Sequence, residues 1–306
     1  MLRILANDGM EKSAVEKLES LGHTVVTEFH DLETLKTVLK TDYDVLIVRS
    51  ATKVREELID LVKGGSLKLV IRAGVGIDNI DYKYAEANGI TVKNTPKASS
   101  ASVAELAIAH MFAISRFIHI SNVEMRAGVW NKKAYAKGVE LCGKTLGIIG
   151  YGRIGHEVAR RAEALGMNIM YFSHECYIDT PANYKCVDKE TLLKEADYIS
   201  LHIPFIKEEG PSITKKEFAI MKDGVFIVNA ARGGVINEAD LIEALDSGKV
   251  AGAGMDVFEE EPTKNTALIN HPKVSATPHI GASTVEAQTR IGLETIDTIL
   301  KHFNLK

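Results

Sequence analysis

Apolar residues along this chain gather in short, nearly continuous runs, separated by stretches in which they recur at helical spacing. Before Pro96 the runs are LRILAND (Leu2–Asp8), HTVVTEF (His23–Phe29), DVLIVRS (Asp44–Ser50), LKLVIRAG (Leu67–Gly74) and ITVKNTP (Ile90–Pro96). They are rich in Val and Ile and do not alternate with polar residues, which predicts strands covered on both faces. Segments such as Lys12–Leu21 and Val54–Lys63 carry the 3.6-residue period of amphipathic helices. Regular alternation of this kind predicts a parallel sheet with helices on both sides.

After Pro96 the texture changes. Residues 97–120 predict one long helix, with Ser102 and Glu105 as a capping box ahead of the apolar positions Val103, Leu106, Met111, Ile114 and Phe117. A looser polar stretch, Ala127–Gly143, follows. Strand-like runs then resume at KTLGIIG (Lys144–Gly150), MNIMYF (Met167–Phe172), ADYISLHIP (Ala196–Pro204), GVFIVNA (Gly224–Ala230), VAGAGMDVF (Val250–Phe258) and KVSATPHI (Lys273–Ile280). Thr284–Phe303 predicts a closing amphipathic helix. The pattern implies two α/β domains.

Length agrees, since 306 residues is about two domains at ~100–200 residues each. The charge balance, 37 basic against 41 acidic side chains, leaves a net −4. That sets no general attraction for nucleic acid or an anionic membrane. No apolar run approaches the ~18 residues of a membrane span, and no secretory leader follows Met1. Cys142, Cys176 and Cys186 are odd in number and lack CxxC spacing, which predicts reduced thiols and a cytoplasmic protein. The histidines form no HExxH and no Cys/His cluster, so no metal site is expected.

The chemistry starts at Gly150-Tyr-Gly152-Arg-Ile-Gly155. This G-x-G-x-x-G follows a predicted strand and opens a predicted helix. Gly150 permits a tight turn, Gly152 close approach of a pyrophosphate and Gly155 close helix–strand packing, with the helix N-terminus supplying N–H groups. The acidic residue that would hold a ribose 2′-hydroxyl is missing: the next strand ends at Phe172, followed by Ser173 and His174. NAD is the expected cofactor with Ser173 on the ribose. NADP is admitted, because no carboxylate repels a 2′-phosphate and His174 offers a cation. Three later segments place Arg232, Glu261 and His279 at or beyond strand ends. Arg232 suits a substrate carboxylate and His279 a proton transfer that Glu261 orients. The alternatives are a structural histidine and a solvated acidic run, Glu259–Glu261.

Several motifs occur in order: VRSATKV, RAGVGIDNID, NTP, GKTLGIIGYGRIG, VNAARGG, GMDVFEEEP and TPHIGAST. Through them nearly the whole chain resembles the D-isomer-specific 2-hydroxyacid dehydrogenases, most closely their D-3-phosphoglycerate dehydrogenase branch. The resemblance implies two Rossmann-like or flavodoxin-like parallel-sheet domains, with the nucleotide-binding domain inserted into the substrate domain. The substrate domain would take residues 1–97 and 284–306, and the NAD-binding domain 98–283. The family's catalytic Arg, Glu and His fall on Arg232, Glu261 and His279. Its cofactor contacts fall on Arg153, Ile154, His202, Ile203, Pro204, Ala230, Ala231, Asp256 and Gly281, and its Asp falls where Ser173 stands.

The implied reaction is NAD-linked oxidation of 3-phospho-D-glycerate to 3-phosphohydroxypyruvate, toward serine. The implied substrate carboxylate site is the backbone of Gly74, Val75 and Gly76 together with Arg232. Arg49 and Lys53 are first choices for the phosphate; Lys132 and Lys133 come second, against the alternative of an exposed basic loop, and Arg72 is a further candidate. A cleft closing about crossings near Pro96 and Ala282–Ser283 is expected, to exclude water. The helix from Ser99 and the Trp130 loop are the implied seat of a homodimer. Longer relatives carry serine-binding C-terminal domains; this chain ends about twenty-five residues past His279, so feedback by that route is not expected. The rival activity is an NAD(P)H-dependent hydroxypyruvate or glyoxylate reductase. A more remote one is a dinucleotide-sensing protein like the C-terminal-binding corepressors.

Overall fold

The structure, a computed structural model, describes residues 1–173 and 180–305. The chain divides into two compact units, Met1–Ser99 with Ala282–Lys306, and Ser100–Gly281.

The first unit runs β1 (Arg3–Ala6), α1 (Lys12–Ser20), β2 (Thr24–Val26), α2 (Leu32–Val38), β3 (Val45–Val48), α3 (Glu56–Val62), β4 (Leu69–Arg72), α4 (Tyr82–Ala87) and β5 (Thr91–Asn94). Its parallel sheet has the order β2-β1-β3-β4-β5, the flavodoxin-like arrangement. Both faces are covered. Leu46, Val48 and Val70 pack with Leu35, Leu58 and Ile59 on one side. Val45, Ile47 and Ile71 pack with Leu18, Ile291 and Ile299 on the other. Successive side chains of one strand therefore enter opposite cores, which is why the runs show no alternation.

The second unit runs α5 (Ser100–Ser115), α6 (Ile118–Arg126), a 3-10 turn (Lys132–Tyr135), β6 (Thr145–Ile149), α7 (Arg153–Ala164), β7 (Asn168–Phe172), β8 (Lys185–Cys186), α8 (Lys189–Glu195), β9 (Tyr198–Leu201), α9 (Lys215–Ile220), β10 (Val225–Asn229), α10 (Glu238–Asp246), β11 (Val250–Met255), α11 (Thr266–Ile269) and β12 (Val274–Ala276). Its parallel sheet has the order β12-β11-β10-β9-β6-β7-β8, and the sequence of strand addition reverses between β6 and β9. That is the Rossmann order, and its switch point lies where Gly150 follows β6 and His202 follows β9. Helix α12 (Val285–His302) then returns to the first unit, capped by Thr284. A Cβ on its Gly292 would stand 2.7 Å from that of Ala14, so glycine lets α12 lie close against α1.

Three sequence expectations are corrected. The helix predicted over 97–120 is two helices, bent by 67° at Phe117, which takes a left-handed φ of 56°. A left-handed residue ends a helix without needing Gly or Pro, so the pattern held no warning. Ser102 and Glu105 do not form a capping box, because α5 already begins at Ser100; Glu105 instead pairs with Arg161 of α7 at 2.8 Å. Cys142 is a free thiol, but Cys186 is disulfide-bonded, against the expectation of reduced thiols. Cys176 lies outside the described residues. Among those residues, no single helix is long and apolar enough to cross a membrane, and none of their His, Cys, Asp and Glu side chains gather as a metal site.

Candidate active site

The glycine turn joins β6 to α7 at the switch point. Gly150 takes φ 95°, and a Cβ there would lie 2.4 Å from the carbonyl oxygen of His202. A Cβ on Gly155 would lie 2.5 Å from the carbonyl oxygen of Gly150, so only glycine lets α7 start this close to the turn. Gly152 differs: nothing stands within 4 Å of where its Cβ would be. As N-cap of α7 it also supplies no side-chain cap. Arg153 and Ile154 open the helix. The open space at Gly152, beside a helix N-terminus, fits a pyrophosphate.

Other predicted residues follow the C-terminal ends of the same sheet. Ser173 comes directly after β7 and is half-buried, while His174 lies outside the described residues. His202, Ile203 and Pro204 follow β9, and Ala230 and Ala231 follow β10. His202 Nε2 meets Ser200 Oγ at 2.9 Å, whereas its buried Nδ1 has no partner among the described residues. Burial pushes its pKa down to about 4, so the ring is neutral near pH 7. An orphaned polar atom at the switch point is a second feature that fits a bound dinucleotide.

Arg232, Glu261 and His279 come together in this unit. His279 Nδ1 and Glu261 Oε2 are 2.7 Å apart, and Glu261 Oε1 accepts the Phe258 N–H at 3.2 Å. Burial favours the protonated carboxyl. The hydrogen bond and charge of His279, the Phe258 N–H and the Arg232 charge outweigh it and hold Glu261 below the usual carboxylate range. Both side chains keep about a third of their surface exposed, 31% for His279 and 33% for Glu261. A carboxylate on Nδ1 fixes the ring and leaves Nε2 to exchange a proton. The acidic run is thus divided. Glu260 reaches Lys264 at the surface, Glu259 takes the Glu238 N–H at 3.0 Å, and Glu261 holds the histidine.

Sequence reasoning missed Asn229. Its side chain accepts the Ala231 N–H at 3.1 Å and donates to the Arg232 carbonyl at 2.9 Å, shaping the turn that presents Arg232. Asparagine at a strand end before small residues was the available signal. Asp256 is buried just after β11 and accepts the N–H groups of Ile280 and Gly281, each at 2.8 Å. Gly281, like Asp256 an expected cofactor contact, is therefore part of the His279 loop.

In the first unit, Arg49 and Lys53 follow β3 and Gly74–Gly76 follow β4. Asp8 accepts the Arg49 N–H at 2.6 Å and the Thr52 N–H at 3.1 Å, shaping the loop that carries both cations. Gly74 takes φ 150°, and a Cβ there would fall 1.3 Å from Nη1 of Arg72, whose guanidinium lies over the turn. Thr95 N–H and the Asn94 side chain hold the carbonyls of Gly74 and Val75. The N–H groups of Val75 and Gly76 make no hydrogen bond among the described residues, as an anion-binding turn requires. Lys132 and Lys133 lie in the exposed 3-10 turn of the second unit.

A Rossmann sheet with a glycine turn at its switch point, and a carboxylate-held histidine beside an arginine, defines the class: a dinucleotide-dependent enzyme. Comparison with known proteins narrows it. Residues 108–281 match the family described as D-isomer specific 2-hydroxyacid dehydrogenase, NAD binding domain. A hydroxypyruvate reductase of Thermotoga maritima is 47% identical, over 99% of each chain. A D-3-phosphoglycerate dehydrogenase of Methanocaldococcus jannaschii is 44% identical over 98% of this chain, which spans 57% of that relative's length. Among solved structures, a D-lactate dehydrogenase from Aquifex aeolicus complexed with NAD and lactic acid superimposes with a TM-score of 0.85. It is 30% identical and covers 99% of this chain and 95% of its own.

The chain therefore belongs to the D-isomer-specific 2-hydroxyacid dehydrogenases, NAD(P)-dependent oxidoreductases of small hydroxy acids.

Proposed function

We propose that this protein interconverts 3-phospho-D-glycerate and 3-phosphohydroxypyruvate with NAD. The His279–Glu261 pair at 2.7 Å beside Arg232 carries the redox part of this reading. The bound nicotinamide supplies the hydride acceptor. Arg232 clamps the substrate carboxylate with a bidentate fork. His279 takes the C2 hydroxyl proton as the C2–H bond breaks, so the alcohol becomes a carbonyl with one hydride and one proton removed. Glu261 orients the ring and stabilises its protonated form. In reduction the same proton returns from His279 to the carbonyl oxygen.

Arg49 and Lys53, on the loop held by Asp8, take the phosphate. A second reading, reduction of unphosphorylated hydroxypyruvate or glyoxylate, is favoured by the relative that matches end to end and by Ser173, which leaves room for NADP. The working unit is a homodimer. Phe112, Ile118, Val123, Met125, Val129 and Trp130, the last 76% exposed, supply apolar surface along α5, α6 and the following loop.

The deciding experiment is reduction of phosphohydroxypyruvate, hydroxypyruvate, glyoxylate and pyruvate, each with NADH and with NADPH. The first reading requires phosphohydroxypyruvate with NADH to give the highest kcat/KM. An unphosphorylated acid with NADPH in first place overturns it in favour of the second.

A further inference from the structure

The loop carrying His279 is wrapped around Asp256. The Asp256 main-chain carbonyl accepts the His279 N–H at 2.8 Å, Oδ1 accepts the Ile280 N–H at 2.8 Å and Oδ2 the Gly281 N–H at 2.8 Å. These bonds hold His279 at φ 53°, a left-handed conformation that a non-glycine residue keeps only when its surroundings impose it.

The carboxylate is itself anchored from the far side. Thr277 Oγ1 donates to Asp256 Oδ1 at 2.6 Å. A hydroxyl has one proton, so Thr277 Oγ1 must accept from its other neighbour, His110 Nε2, at 3.0 Å. His110 therefore carries a proton on Nε2. Its Nδ1, 3.0 Å from Ser275 Oγ, accepts when the ring is neutral. Burial lowers the His110 pKa against the pull of the Asp256 charge, with His119 adding to the lowering, and the neutral ring keeps a single tautomer. The ring reaches this position because β11 has glycine opposite it: a Cβ on Gly254 would stand 2.5 Å from that of His110. His110 is 2% exposed, sits on α5, and touches nothing in the proposed chemistry.

We infer that His110 is a positioning residue, which through Thr277 orients the Asp256 carboxylate and so sets the loop conformation that presents His279. This rests on the reading of His279 as proton acceptor. Removing either link leaves Asp256 free to turn and His279 free to relax from its left-handed backbone. Misplacement of a reacting group by about 1 Å is enough for a ~10²-fold rate loss.

The test uses the full chain with five variants: His110→Leu, His110→Gln, Thr277→Val, Thr277→Ser and His279→Ala. Each is followed by kcat, KM, NADH binding and the imidazole Cε1–H resonance of His279 without cofactor, identified by its absence in His279→Ala. His110→Leu and Thr277→Val are expected to lower kcat ~10–100-fold and to shift the His279 resonance. KM should stay within about threefold and any rise in the NADH Kd, through Asp256 and Gly281 as expected cofactor contacts, should be smaller than the fall in kcat, while Thr277→Ser and His110→Gln recover most of the rate by restoring a hydroxyl or a donor.

A His110→Leu protein with wild-type kcat and an unmoved resonance overturns the inference, as does one in which KM and Kd worsen as much as kcat. Should Leu at 110 prevent folding, Thr277→Val decides alone, and a wild-type rate and resonance there overturn the inference equally. If His279→Ala itself turns over normally with NADH bound, it is the proton-acceptor reading that fails, while the resonance shifts still judge the positioning.

Discussion

Gly152 and Gly155 lie three residues apart in one loop, yet alanine at each should do opposite things. At Gly155 the new Cβ would meet the Gly150 carbonyl oxygen at 2.5 Å, about 0.9 Å short of the 3.4 Å at which ordinary contact begins. That oxygen belongs to backbone fixed at φ 95° and packed on His202, so the overlap opens only by moving α7 away from the turn. Overpacking of this kind costs ~1–3 kcal/mol, a Tm loss of roughly 2–12 °C for a domain of this size. The same displacement moves the helix N-terminus, and 1–3 kcal/mol of lost binding is roughly a 5–150-fold rise in NADH Kd. At Gly152 the backbone is extended (φ −84°, ψ −161°), alanine adopts it, and nothing stands within 4 Å. Gly152→Ala should therefore leave Tm unchanged and still raise the NADH Kd by ~10-fold or more, because its methyl fills the space a pyrophosphate needs. Differential scanning fluorimetry and fluorescence titration with NADH measure both. If Gly152→Ala binds NADH within twofold of wild type, the open space is not the phosphate site. If Gly155→Ala changes neither Tm nor Kd, the packing argument fails.

Four further outcomes are expected. Glu261→Gln keeps an acceptor but loses the charge that favours protonated His279, and kcat should fall by ~10² or more, as for other carboxylate–histidine pairs; a loss under threefold refutes the pairing. Because the folded Glu261 pKa is lowered, its contribution to stability is complete above the ordinary carboxylate value and is lost only as pH falls through the lower folded value; urea melts of the Gln variant should lack that acid limb. His202 is neutral in the fold, with a pKa near 4 against an ordinary 6.5, so its contribution is full above pH 6.5 and declines as pH falls toward 4. At 1.36 kcal/mol per pH unit that loss is about 3 kcal/mol, and a His202→Asn protein that loses as much stability as wild type between pH 7.5 and 4.5 contradicts it. Trp130→Asp with Val123→Asp should convert a dimer to monomer in light scattering behind size exclusion; an unchanged mass moves the subunit contact elsewhere.

Much of this protein is legible in the order of its residues. Parallel strands buried on both faces must be apolar throughout, so each long run of Val, Ile and Leu marks a strand; only β8, two residues long, was too short to register. The glycine turn is legible because Gly150 and Gly155 are each required by a backbone atom close to them in sequence or across the switch point. The motifs around Arg232, Glu261 and His279 carried the family.

What tertiary structure alone decided are the partners. The break at Phe117 has no Gly or Pro to announce it. The acidic run Glu259–Glu261 has three identical side chains with three different fates; Glu261 was expected on His279, but only the fold sends Glu259 to Glu238 and Glu260 to Lys264. His110 reads as one polar residue in an apolar helix; its link to Thr277 spans 167 residues of sequence. Periodicity reports which face of an element is buried, because that depends on neighbours within a turn or a strand. It carries no record of which distant hydrogen-bonding group waits inside, and that choice, made when the sheet and α5 pack together, is what holds His279 in place.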